Sequence, residues 1–171
     1  MPFPIFTHFV NLSPQFLARR ELVQQLMTNA QQLCGDCLGD PAIVKPLVFE
    51  ITERQFIGNF DTLIREIQPL LDFAFRLALD DFGSGYSSFL YLAKRPVRFL
   101  KIEGWMVANL RHDLKIRDMI QNIADLSRKQ GITTIAENIE DTETAELLRE
   151  MGVNWGQGYH FGIPLFDAAA D

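Results

Sequence analysis

The 171 residues carry 16 Lys and Arg against 22 Asp and Glu, a formal net charge of -6 with a pI near 5.1. No basic stripe is present, which argues against a binder of nucleic-acid backbones. Hydrophobic content of 47% and charged content of 22% suit one globular domain with a sizeable core, and no apolar run reaches the roughly 20 residues of a membrane span. The apolar start Pro2-Phe3-Pro4-Ile5-Phe6 is short and lacks a basic leader, so it does not read as a signal peptide. The expected location is cytoplasmic.

In chain order, residues 7–11 alternate like a strand and end on Asn11. Ser13 then offers an N-cap and Pro14 a first helical position, before a stripe of Phe16, Leu17, Leu22, Val23, Leu26 and Leu33. The loop that follows, 35–41, contains one end of a lone Cys34-Gly35-Asp36-Cys37. Neither a helix N-terminus nor a second ligand pair accompanies it, so a redox or zinc role is not supported. Residues 47–53 read as a second strand carrying Glu50, with Glu53 at its end, and 60–71 as a helix despite Pro69.

Residues 75–81 form a short apolar run that stops on two adjacent carboxylates, Asp80 and Asp81, followed by Gly83-Ser84-Gly85. Two neighbouring acids repel, and burying them without a cation is costly. A divalent metal answers that need. Equally, Asp81 and Ser84 can cap a helix over 87–94. A fourth strand is expected over 97–102, and a helix over 114–130 stopped by Gly131. A fifth strand over 132–137 ends on Glu137, with Glu140 close behind. Asp141 caps a helix to Met151, and a sixth short strand spans 153–158.

Alternating strands and helices predict parallel βα units. No Gly-x-Gly-x-x-Gly follows the first strand, which weakens a dinucleotide-binding reading. Instead Asn11, Glu50, Asp80, Lys101, Glu137 and Gln157 mark successive strand ends. In a (β/α) barrel those ends share one face, where active sites are built. The expected fold is therefore α/β, a TIM-like (β/α) barrel of about six units.

Glu50, Asp80, Asp81 and Glu137 are hard oxygen donors, Asn11 adds a neutral carbonyl, and the three histidines do not cluster with the acids. That set suits magnesium or manganese rather than zinc, and paired carboxylates can divide between two ions in phosphodiester hydrolysis. Lys101 can orient an attacking water or steady a phosphate oxygen; alternatively it neutralises surplus acid. Glu53 and Glu140 either orient the inner residues or are plain solvated residues.

With those residues in place, the chain resembles the EAL domain family of cyclic di-GMP phosphodiesterases. Asn11-Leu12-Ser13, Glu50-Ile51-Thr52-Glu53 and the run from Asp80 to Ser88 are similar to three of its motifs. Lys101-Ile102, Ala136-Glu137-Asn138-Ile139-Glu140 and Gln157-Gly158-Tyr159 resemble three more. The departures are Glu103 where the family has Asp, Asn138 where it has Gly, and Gly162-Ile163-Pro164 where it has Gly-Arg-Pro. The resemblance implies metal ligation by Asn11, Glu50, Asp80 and Asp81, water activation by Lys101 and Glu137, and metal or water contacts from Gln157. It also implies that Glu53 holds the loop after Asp81.

The chain contains no Glu-Ala-Leu triplet, whose Glu is a metal ligand in the family. Six strands also fall short of the eight in a barrel of about 250 residues. The expectation is a single domain over 1–171, truncated at its N-terminal side, with two open sheet edges that favour a homodimer. Expected partners are cyclic di-GMP, a second copy and other signalling domains. Three functions stand: a metal-dependent phosphodiesterase, a non-catalytic cyclic di-GMP-binding or protein-interaction module, and an unrelated metal-dependent barrel enzyme.

Overall fold

A computed structural model describes residues 7–34, 47–52, 60–83 and 97–163. It divides into two compact units, Met1–Phe99 and Leu100–Asp171. In the first, β1 (His8–Asn11), α1 (Pro14–Leu17), α2 (Arg20–Cys34), β2 (Leu47–Thr52), α3 (Phe60–Asp72) and β3 (Arg76–Phe82) follow one another, and β4 (Val97–Ile102) begins. In the second, the end of β4 leads to α4 (Gly104–Asn109), α5 (Leu114–Gln130), β5 (Thr133–Ala136), α6 (Thr142–Glu150) and β6 (Trp155–Gly156).

In the first unit β1, β2 and β3 are neighbours in chain order and pair in parallel. From Val48 to Ile51, β2 is buried without interruption, as expected of a parallel strand covered on both faces. The covering helices show why. Leu63, Ile67 and Leu70 of α3 recur at helical spacing and are fully or nearly fully buried, while Pro69 sits on the exposed side. There its missing N–H and its ring disturb only the solvent-facing wall of the last turn.

In the second unit Ile116, Ile120, Ile123 and Ala124 bury one stripe of α5. Asp113 caps its start by accepting from the Lys115 N–H at 2.8 Å, and Gly131 ends it in a left-handed conformation, φ 68°. Asp141 caps α6 in the same way, accepting from the Thr144 N–H at 2.8 Å. Strands β5 and β6 pair in parallel, and Asn154 is pinned beside Thr134 by reciprocal bonds.

Four expectations need correction. The helix expected across 14–33 is two: Ala18 and Arg19 interrupt it, with the Arg19 N–H closing onto the Phe16 carbonyl at 3.1 Å. Helix α4 was not anticipated, because Glu103 precedes it without a side-chain capping bond and six residues show little periodicity. The third strand begins and ends one residue later than expected. The sixth strand is two residues rather than six, since Gly158 at φ 152° turns the chain away. The helix expected over 87–94, the loop 35–41, Cys37 and Glu53 lie outside the described residues.

Candidate active site

In the first unit, register decides which side chains share a face. Asn11 pairs with Glu50, Glu50 with Ala78, and Thr52 with Asp80. Paired residues in a parallel ladder point the same way, and the pattern repeats every second residue. Asn11, Glu50, Ala78 and Asp80 therefore lie on one face. Glu50 is only 6% exposed, and the small Ala78 beside it leaves room at its level.

Strict alternation would send Asp81 to the opposite face from Asp80. Instead Asp81 adopts φ 56°, a left-handed conformation that few residues other than Gly, Asn and Asp tolerate. This breaks the alternation, and the Asp80 and Asp81 carboxylates approach to within 4.8 Å. Phe82 is buried immediately behind them, so the acidic turn is anchored by an apolar side chain. Bringing two like charges together in this way suits divalent ions that both carboxylates can serve.

In the second unit, Lys101, Glu137 and Gln157 stand on adjacent strand ends. The Lys101 ammonium, in a residue 6% exposed, lies 2.7 Å from the Glu137 carboxylate. Backbone bonds fix that pairing. The Glu137 N–H donates to the Ile102 carbonyl at 3.3 Å, and the Gln157 N–H donates to Ala136 at 2.8 Å. The Gln157 carbonyl accepts from the Ile139 N–H at 3.0 Å, so Gln157 is held beside the turn that follows Glu137. Glu140 is exposed beyond that turn.

A groove of about 760 Å³ opens at this end of β5 and β6, lined among others by Asn138, Glu140, Gln157 and Tyr159. A larger one, about 900 Å³, lies between α2 and α3 and contains none of the strand-end residues. The chemistry of the strand ends, not cavity size, marks the candidate site.

The EAL domain family model matches residues 2–164. The chain belongs to the EAL domain family. Cyclic di-GMP phosphodiesterase PdeB of Shewanella oneidensis is 40% identical over 157 residues, covering 91% of this chain and 17% of that protein. A solved structure described as PaMucR phosphodiesterase in complex with c-di-GMP superposes with a TM-score of 0.81 at 28% identity, over 94% of this chain and 62% of that one. Klebsiella pneumoniae BlrP1, solved with manganese and cyclic di-GMP, gives a TM-score of 0.78 at 25% identity, over 92% and 39%. The α/β, incomplete TIM-type barrel expected from the strand ends is thus the EAL fold, and the chain spans only part of these relatives' length.

Asn138, which departs from the Gly that the family resemblance implies, has a left-handed backbone, φ 55°. Gly takes that conformation freely, and Asn is among the few side-chain-bearing residues that do. What the sequence did not reveal is where its side chain goes.

Proposed function

We propose that this chain forms the greater part of a cytoplasmic cyclic di-GMP phosphodiesterase domain, hydrolysing the messenger to linear pGpG. The observation that carries the reading is the Lys101–Glu137 pair at 2.7 Å, placed at strand ends in a chain that matches the EAL model almost throughout. Glu137 can accept a proton from an attacking water, and Lys101 holds that carboxylate in place while presenting a positive charge towards phosphate oxygen. By family resemblance, Asn11, Glu50, Asp80 and Asp81 hold magnesium or manganese, with Gln157 contacting metal or water. The buried Glu50 and the convergent Asp80–Asp81 carboxylates fit such ions, being oxygen donors without soft ligands. Bound there, the metal supplies Lewis-acid stabilisation of the phosphoryl oxygens and a more acidic water. Glu53 and Glu140 are proposed to support these groups from outside.

A second reading, binding without turnover, is favoured by one observation. The sequence holds no Glu-Ala-Leu triplet, so one family carboxylate is not among its residues. Cyclic di-GMP hydrolysis by the 171-residue chain with manganese or magnesium separates the two, beside an Asp80→Ala control. Turnover lost in the control supports the first reading. Calorimetric binding without turnover supports the second.

The same proposal treats 1–171 as one domain that pairs as a homodimer. Among the described residues β1 neighbours only β2 and β6 only β5, and Val10 and Trp155 are 43% and 45% exposed on these outer strands. Sedimentation showing a stable monomer at micromolar concentration would refute the pairing.

A further inference from the structure

We propose that Asn138 is a positioning residue for the Lys101–Glu137 pair, acting through an interlock with Gly104. A Cβ built on Gly104 would overlap Asn138 Nδ2 and would lie 2.7 Å from its Cγ and 2.9 Å from its Cβ. The Asn138 side chain therefore occupies the space that any residue other than glycine at 104 would need. Such approaches are closer than real Cβ atoms make, so one of the two must move.

The two positions frame the pair. Gly104 is the buried first residue of α4, three residues after Lys101, and Asn138 directly follows Glu137. The bond from the Glu137 N–H to the Ile102 carbonyl ties the same two segments by their backbones. Asn138 adds a side-chain tie at the turn. Its backbone is left-handed, φ 55°, between Glu137 and the Ile139 that bonds to Gln157, and the amide packs onto the start of α4. A glycine at 138 would keep the turn accessible but would also free it to leave that conformation. In this chain the left-handed residue is held by packing of its side chain against Gly104. The proposal rests on reading Lys101–Glu137 as the water-activating pair, but its test does not require turnover.

The test is a cycle of Gly104→Ala, Asn138→Gly and the double variant. Each is followed by the melting temperature and by the Lys101 ε-methylene resonance of ¹³C-lysine-labelled protein at pH 7. Gly104→Ala should shift the Lys101 resonance and lower Tm by at least about 2–4 °C. Asn138→Gly alone should move the resonance while changing Tm less, and adding it to Gly104→Ala should restore most of the lost Tm. If Gly104→Ala does not fold alone, recovery of a folded double variant supports the interlock equally. A cost of Gly104→Ala that is the same with Asn or Gly at 138 would overturn the interlock. A Lys101 resonance unmoved in Asn138→Gly would overturn the positioning role and leave a packing contact only.

Discussion

Lys101 Nζ lies 2.7 Å from Glu137 Oε1, and the two side chains are only 7% and 18% exposed. An ion pair so shielded from water is neither a solubility feature nor a loosely held surface contact. It fixes two side chains on adjacent strand ends in one mutual geometry, which is what a proton-transferring group and its orienting cation require.

Glu137→Gln keeps the shape and removes the charge. It should cost about 1.5–3 kcal/mol of stability, the usual range for a hydrogen bond to a charged group, as read by urea unfolding. On the phosphodiesterase reading it should also lower turnover by roughly 10²–10⁴-fold without abolishing binding of cyclic di-GMP. Loss of stability with unaltered turnover would assign Glu137 to structure alone.

The metal reading predicts a separation at Asp81. Asp81→Asn retains a residue that tolerates φ 56° but drops one charge from the convergent pair. The protein should melt as before, while manganese affinity measured by calorimetry falls at least about 10–100-fold, the range seen when even outer groups of a metal site are altered. Asp81→Val combines charge loss with a branched side chain in a left-handed conformation, and should cost a further 1–2 kcal/mol or so.

How much of this was legible in the sequence depended on the kind of signal. The strand ends were readable because each carries a polar residue after an apolar run, and Asp141 and Gly131 announced their helix boundaries by residue type. Helix α4 was not, since Glu103 makes no capping bond and the segment buries Gly104, Met106 and Val107 without a long stripe. The Asp80–Asp81 pair was legible as two adjacent acids at a strand end, but the positive φ that brings their carboxylates together was not, because residue type permits it without dictating it. The Asn138–Gly104 packing was invisible for another reason. It joins residues 34 positions apart whose types, taken singly, suggest only turns.

Asp141 gives a pH-dependent test away from the strand ends. Its carboxylate accepts from the Thr144 backbone N–H, which holds its pKa below the ordinary value; desolvation opposes this, and the Thr144 hydroxyl and Arg111 add to the lowering. Because the folded value is depressed, the carboxylate's contribution is complete above the ordinary pKa near 4 and is lost as pH falls through the lower folded value. Asp141→Ala should melt roughly 2–4 °C below wild type at pH 7. That difference should shrink below about pH 4, and a constant gap down to pH 2.5 or so would show that the charge contributes nothing.

Gly156 and Gly158 make a paired prediction about how Gln157 is held. A Cβ at Gly158 would overlap the backbone N and O of Ile139 and lie 2.8 Å from its carbonyl carbon, at φ 152°. Those same Ile139 groups bond to the Gln157 carbonyl and the His160 N–H, both at 3.0 Å. Backbone cannot yield as a side-chain tip can, so Gly158→Ala must break one of these bonds or strain the turn, at about 1–3 kcal/mol. At Gly156 the obstacles are the Ile139 Cδ1, at 2.7 Å, and the Phe161 ring, both ends of side chains. The ring can shift towards solvent, since Phe161 is 59% exposed, and the Ile139 methyl is the tip of a side chain that can rotate even though the residue is buried. Gly156→Ala should therefore cost less than Gly158→Ala in urea unfolding, and hydrogen exchange at the Ile139 amide should accelerate only in the latter. Equal costs at the two positions would mean that the turn after β6 is held by its side chains rather than by the Ile139 backbone.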